Sequence, residues 1–185
     1  MILNSVPMIP IDLTKPPEQL VIELVNKDNG TSIKLGDLVF GIPELSNGKH
    51  NSRVLATATP GSYYSGSVKI NYNRVDISKV VKGRSTIFNL TDETKLSDLI
   101  PDIDERYELR LTPNDYLDSD LPIFTGADVT EELSVNLVAN PKSLVFINSL
   151  KLTLERSAID LRTLITNLIM NGLTYLAPPG QLLSI

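Results

Sequence analysis

The residues of this chain whose types could do chemistry are one histidine, His50, and a surplus of acids between residues 91 and 132. A Ser-His-Asp relay needs an imidazole oriented by an acid and set beside a nucleophile. His50 stands in the polar stretch 46–52, where no hydroxyl is singled out by spacing, so it reads as a solvated loop histidine. A zinc site needs several nitrogen or sulfur ligands, and the chain has a single histidine and no cysteine. Calcium takes six to eight oxygens, which Asp102, Asp104, Asp115, Asp118 and Asp120 begin to supply. The glycine and the terminal glutamate of a helix-loop-helix calcium loop are missing at their required offsets, and capping, turn formation and a solvated acidic face account for these aspartates. No carboxylate pair is picked out for glycoside hydrolysis, and without tryptophan the aromatic platforms that hold sugars are thin. Gly61 and Gly66 have the separation of a phosphate loop, but Ser67 stands where the lysine is required and a strand pattern follows. The reading is therefore non-enzymatic, with no catalytic, cofactor-binding or metal residue, no cofactor and no small-molecule substrate.

The net charge of −5 conceals an asymmetry: residues 91–132 hold thirteen acids against Lys95, Arg106 and Arg110, leaving the remainder net positive. The basic residues are scattered singly rather than gathered in a stripe, which argues against direct nucleic-acid binding. No apolar run approaches the roughly 20 residues that span a bilayer, so no membrane is expected as a partner. The opening stretch MILNSVPMIPIDLTKPP lacks a basic start and its prolines interrupt the apolar run, so it is not read as a signal peptide.

The elements that would position any site are mainly β. Residues 64–77 (YSGSVKINYNRVDI) open at Gly66, a turn residue, and place Val68, Ile70 and Tyr72 in one phase and polar residues in the other. Such alternation marks a strand with one buried face. The apolar phase then flips to Val75 and Ile77, which predicts a bulge or a change of sheet at Asn73 and Arg74. Further strands are predicted around Val54, over Ile87, Phe88 and Leu90, over Tyr107, Leu109 and Leu111, and as a hairpin from Leu133 to Leu154 turned at Asn140 and Pro141. A helix is predicted over 17–27, capped by Thr14 and stopped at Gly30, with residues 20–25 (LVIELV) also fitting a strand. A second short helix is predicted over 95–100, capped by Thr94 and ended by Pro101. Thr112 to Asp115 reads as a capping-box turn. Residues 159–169 fit either a helix stopped by Gly172 or a strand. The fold class is thus mainly β, a β-sandwich or partly open barrel with a few short helices. The organisation is an extended arm over 1–15, one β-rich domain over 16–176 and a tail over 177–185.

Arg74 and Asp76 flank Val75 and are predicted to form a structural ion pair or a hydrogen-bond anchor; Gly66 and Gly172 serve as structural stops. Met8, Ile9, Ile11, Leu13, Leu182, Leu183 and Ile185 are apolar, lie among prolines and have almost no charge around them. They are candidate interaction residues, because burial of each large apolar side chain is worth about 1.5–3 kcal/mol. The alternative is that both ends fold back on the domain.

A series of short motifs runs through the chain in order: Asn29-Gly30-Thr31, Phe40-Gly41-Ile42-Pro43, Asn51 and Tyr64-Ser65-Gly66-Ser67-Val68. It continues with Tyr72-Asn73-Arg74-Val75-Asp76-Ile77, then residues 96–101 (LSDLIP), Leu109-Arg110-Leu111-Thr112 with Asp115, and Asn171-Gly172-Leu173-Thr174-Tyr175. In these the chain resembles the small virion structural proteins of giant tailed phages of the phiKZ type. It departs where that pattern runs from the tyrosine into proline, since Leu176 and Ala177 precede Pro178 here. The resemblance implies a non-catalytic building block of the virion, in the tail, baseplate or collar, assembled in the host cytoplasm. Its partners would be other virion proteins in a symmetric multi-copy assembly. A receptor- or glycan-binding β module is the alternative, which exposed Tyr63, Tyr64 and Tyr116 on one face would favour.

Overall fold

A computed structural model describes residues 11–124 and 132–156. The predicted Gly172 stop, the element at 159–169, Met8 and Ile9 of the arm and Leu182, Leu183 and Ile185 of the tail lie outside the described residues. Helix α1 (Pro17–Asn29) begins directly after Pro16, whose fixed geometry suits a helix start. Thr14 is not its cap: its backbone N–H and hydroxyl both donate to Asp12, in a local turn before the helix. Gly30 ends the helix in the left-handed conformation at φ 64°, and its N–H caps the Asn26 carbonyl.

Among the described residues ten strands follow, with a second helix among them, so the fold is mainly β with few helices. In the first sheet β3 (Ser52–Ala58) is central and antiparallel to β4 (Ser67–Tyr72) on one side. The short strands β1 (Leu38–Phe40) and β2 (Glu44–Leu45) share its other side. Gly66 takes φ 84° in the β3–β4 connection, as a turn glycine should. The predicted phase flip is a change of sheet: after Tyr72 the chain enters β5 (Val75–Asp76), which pairs in parallel with β9 (Phe146–Ile147) in a separate two-stranded sheet. The third sheet has the order β6-β10-β8-β7, built from β6 (Ile87–Leu90), β7 (Tyr116–Leu117), β8 (Glu132–Ala139) and β10 (Ser149–Arg156). Strands β8 and β10 form the predicted hairpin, Ser149 opposite Val138, with the turn closed by Ser143 N–H to the Asn140 carbonyl. The predicted single strand over 144–154 is broken at Asn148, where φ is +67°. Among the described residues no strand order closes into a barrel.

Helix α2 (Leu96–Tyr107) corrects two expectations. It starts at Lys95, where Asp98 accepts the N–H groups of Thr94 and Lys95, and it runs through Pro101. A proline inside a helix costs about 3 kcal/mol. Beyond it the helix buries Ile103 and Tyr107, each worth about 1.5–3 kcal/mol, and that burial offsets the cost. Tyr107, Leu109 and Leu111 are accordingly not a strand. Glu108 turns left-handed at φ 57°, and Leu109 and Leu111 are buried from an irregular segment. One apolar core joins α1, α2 and strands of all three sheets through Leu20, Val54, Phe88, Leu99, Phe146 and Leu152.

Candidate functional site

Two places on this scaffold concentrate the residues of interest, a buried polar junction and an uncovered sheet edge. The junction lies where the chain leaves the first sheet. Arg74 is only 6% exposed. It does not pair with Asp76, because it stands in the crossing between β4 and β5 and the two residues do not share one strand face. Its Nε donates to Ser52 Oγ at 2.7 Å and its Nη1 to the Ser143 carbonyl at 2.9 Å. Burial among neutral acceptors pulls its pKa below the ordinary arginine value. Asn51 closes the loop: its amide donates to the Arg74 carbonyl and its Oδ1 accepts the Arg74 N–H, at 2.9 and 2.8 Å. Ser143 in turn donates to Asp115, itself buried, at 2.6 Å. The guanidinium and that carboxylate therefore communicate through one serine. Tyr72, the last residue of β4, donates to the Leu144 carbonyl at 2.8 Å, and burial pushes its hydroxyl up to about 12.

Asp76 is a different kind of anchor. Its carboxylate accepts the Ser78 N–H and hydroxyl and the Asn148 amide, at 3.0, 2.7 and 2.9 Å. It thus caps the 3-10 turn Ile77–Lys79 and holds the left-handed Asn148. Hydrogen bonds from Ser78 and then Asn148 lower its pKa.

His50 is half-buried rather than solvated and its Nδ1 is shut from water with no hydrogen-bond partner; it sits in the 46–51 loop, closed by Ser46 N–H to the Asn51 carbonyl. The acids serve the backbone: Asp104 accepts the Leu111 N–H, Asp115 that of Thr112 and Asp118 that of Ser97. Among the described residues no three acids or histidines are grouped to hold a metal ion. Gly61 and Gly66 belong to the hairpin connection between β3 and β4, as read from the sequence.

Among the described residues the edge of β4 away from β3 has no strand paired to it. Its inner face grades from buried Tyr72 through half-buried Ile70 to Val68, which is 60% exposed, so the predicted alternation buries only one end of the strand. Between that face and the C-terminal half of α1 runs a groove of about 500 Å³, walled by Val25 and Ile33 and floored by Ala56 and Ala58. On the opposite face of the sheet Val39 and Leu55 are also exposed. The sequence pattern missed this groove, although two alanines in the inward phase of β3 are its signature. Of the arm residues, Ile11 is about half exposed beside Leu20, Val21 and Tyr72, and Leu13 packs against the domain's own core. Tyr63 is 97% exposed and meets Tyr64 edge to face, whereas Tyr116 is buried, so the three tyrosines do not form one exposed platform.

A family model described as a family of unknown function (DUF7941) matches residues 11–183, and the chain belongs to that family. No curated protein and no solved structure matches it.

Proposed function

We propose that this member of DUF7941 is a non-catalytic structural component of a tailed-phage virion, in the tail, baseplate or collar, that works by assembling with other virion proteins in a multi-copy array. The observation that carries the reading is the apolar surface left in water on the first sheet: Val39, Leu45, Leu55 and Val68 are exposed on a single small sheet. They lie on both faces of the sheet, Val68 toward the groove and Val39 and Leu55 opposite, so what they offer a partner is the sheet's edge rather than one flat face. The ordered motifs from Asn29 to Tyr175 add the resemblance to phage virion proteins. A glycan-binding role is the second reading, favoured by the exposure of Tyr63 but weakened by the burial of Tyr116. The test is to purify particles from infected host cells, identify the chain by peptide mass spectrometry and locate it in a cryo-EM map. The expected result is the chain in stoichiometric, symmetric copies. Its absence from washed particles overturns the reading, and tight, saturable binding on a glycan array would favour the second.

A further inference from the structure

The free edge of β4 is defined by its pairing with β3. Ala58 N–H donates to the Gly66 carbonyl at 2.9 Å, so those two form a hydrogen-bonded pair. Such pairs alternate along an antiparallel ladder, which leaves the N–H and C=O groups of Ser67, Lys69 and Asn71 pointing away from β3. Among the described residues no strand pairs with them. An unpaired edge of this length templates strand addition. The other edge of the sheet is divided between two short strands, β1 and β2, with Pro43 in the segment between them.

We propose that this edge and its groove accept residues 1–10 of a second copy of the chain as an added strand. The inference rests on the assembly reading and names the partner. Three observations select the segment, and the assembly reading selects a second copy over the chain's own β4. Residues 1–10 contain no charged side chain, and β4 contains only Lys69. Both of their phases carry apolar side chains, Ile2, Val6 and Met8 in one and Leu3 and Ile9 in the other, each interrupted by one polar residue, Asn4 or Ser5. That matches an edge with exposed apolar side chains on both faces, Val68 in the groove and Leu55 and Val39 behind it. Ten extended residues reach about 33 Å, against about 20 Å for the six residues of β4. Pro7, which lacks a donor, is accommodated when Val6 and Met8 direct their amides to β4 and Pro7 faces outward, and Pro10, which shares their inward phase without a donor, ends the added strand at Ile9. Arm into edge is a head-to-tail contact, so each copy offers one half of a junction and the array grows with copy number.

Two variants each remove one half of the junction. Lys69→Pro removes an outward donor without touching the ladder to β3, and a chain lacking residues 2–10 removes the arm. In sedimentation velocity across a concentration series, the full chain is expected to grow in mass with concentration. Each variant alone is expected to stay monomeric, with the melting midpoint that the full chain shows at concentrations where it is itself monomeric. Mixed together, the variants are expected to form a one-to-one complex of twice the monomer mass, because one retains the arm and the other the edge. A full chain that remains monomeric throughout, or two variants that do not combine, overturns the proposal. If Lys69→Pro does not fold, Val68→Asp replaces it, since that side chain is exposed and needs no backbone change. Particle localisation is scored separately. A chain found in virions whose variants do not combine leaves the virion reading intact and removes this one.

Discussion

At the scale of the residue, Arg74 and Asp76 separate two roles that their neighbourhood in sequence would merge. Arg74 is buried and satisfied by neutral oxygens, so its removal strands acceptors that water cannot reach. Each stranded buried acceptor costs about 1–3 kcal/mol. Arg74→Met is therefore expected to lower unfolding free energy in urea by about 2–4 kcal/mol, and Arg74→Lys not to restore it, because an ammonium cannot fork to Ser52 and Ser143 together. Asp76 acts at the surface as a cap, and losing such a cap costs about 0.5–2 kcal/mol. Its carboxyl has a lower pKa folded than unfolded. Its contribution is thus fully present above the unfolded pKa, near 3.8, and is lost as pH falls through the folded value. Asp76→Ala is expected to cost about 1 kcal/mol at neutral pH, and the gap from the parent should close in acid. A gap that persists unchanged well below pH 3.8 would show that the charge plays no part.

At the scale of the element, patterns that depend on neighbouring residues were legible and those set by the third dimension were not. Gly30 and Gly66 mark a helix end and a hairpin connection because positive φ is a local demand. The change of sheet at Asn73 and Arg74 could be read from a phase flip. Val68 could not be read as exposed, because alternation reports which side a residue faces but not whether anything covers that side. The junction of Arg74 with Ser143 joins segments 69 residues apart, a distance at which sequence spacing has no meaning. Pro101 shows how packing can overrule a local signal. It sits in the interior of α2, where its absent N–H leaves the Ser97 carbonyl without the usual helical donor. Its own side is exposed, so alanine there loses little packing. Pro101→Ala is expected to raise unfolding free energy by about 1–3 kcal/mol. A destabilised variant would mean that the bend imposed by proline is what seats Ile103 and Tyr107.

At the scale of the whole molecule, the arm divides at the boundary of the described residues, and the described part, from Ile11, is sewn to the core. Leu13 packs against the core, and Ile11 lies over the crevice between α1 and Tyr72. Lys15 and Glu23 then tie the approach to α1 by an ion pair at 2.9 Å, which at the surface contributes at most about 1 kcal/mol. Fastening at this point is therefore chiefly apolar, and it sits next to the end of β4 rather than at a remote corner. Two truncations separate the parts, measured at a concentration where the chain is monomeric. A chain beginning at Ile11 is expected to melt with the full-length chain, because on the strand-addition proposal residues 1–10 seat on a second copy. A chain beginning at Thr14 loses Leu13 and Ile11 together. It is expected to lose up to about 1.5–3 kcal/mol, the value of burying one large apolar side chain, since both are only partly covered. If both truncations melt alike, Leu13 is a passive neighbour and the arm is detachable as far as the helix. If the first already destabilises the monomer, residues 1–10 belong to the domain's own core. They could then reach a neighbour only at a cost in folding stability, which would make assembly and folding competing equilibria in this chain.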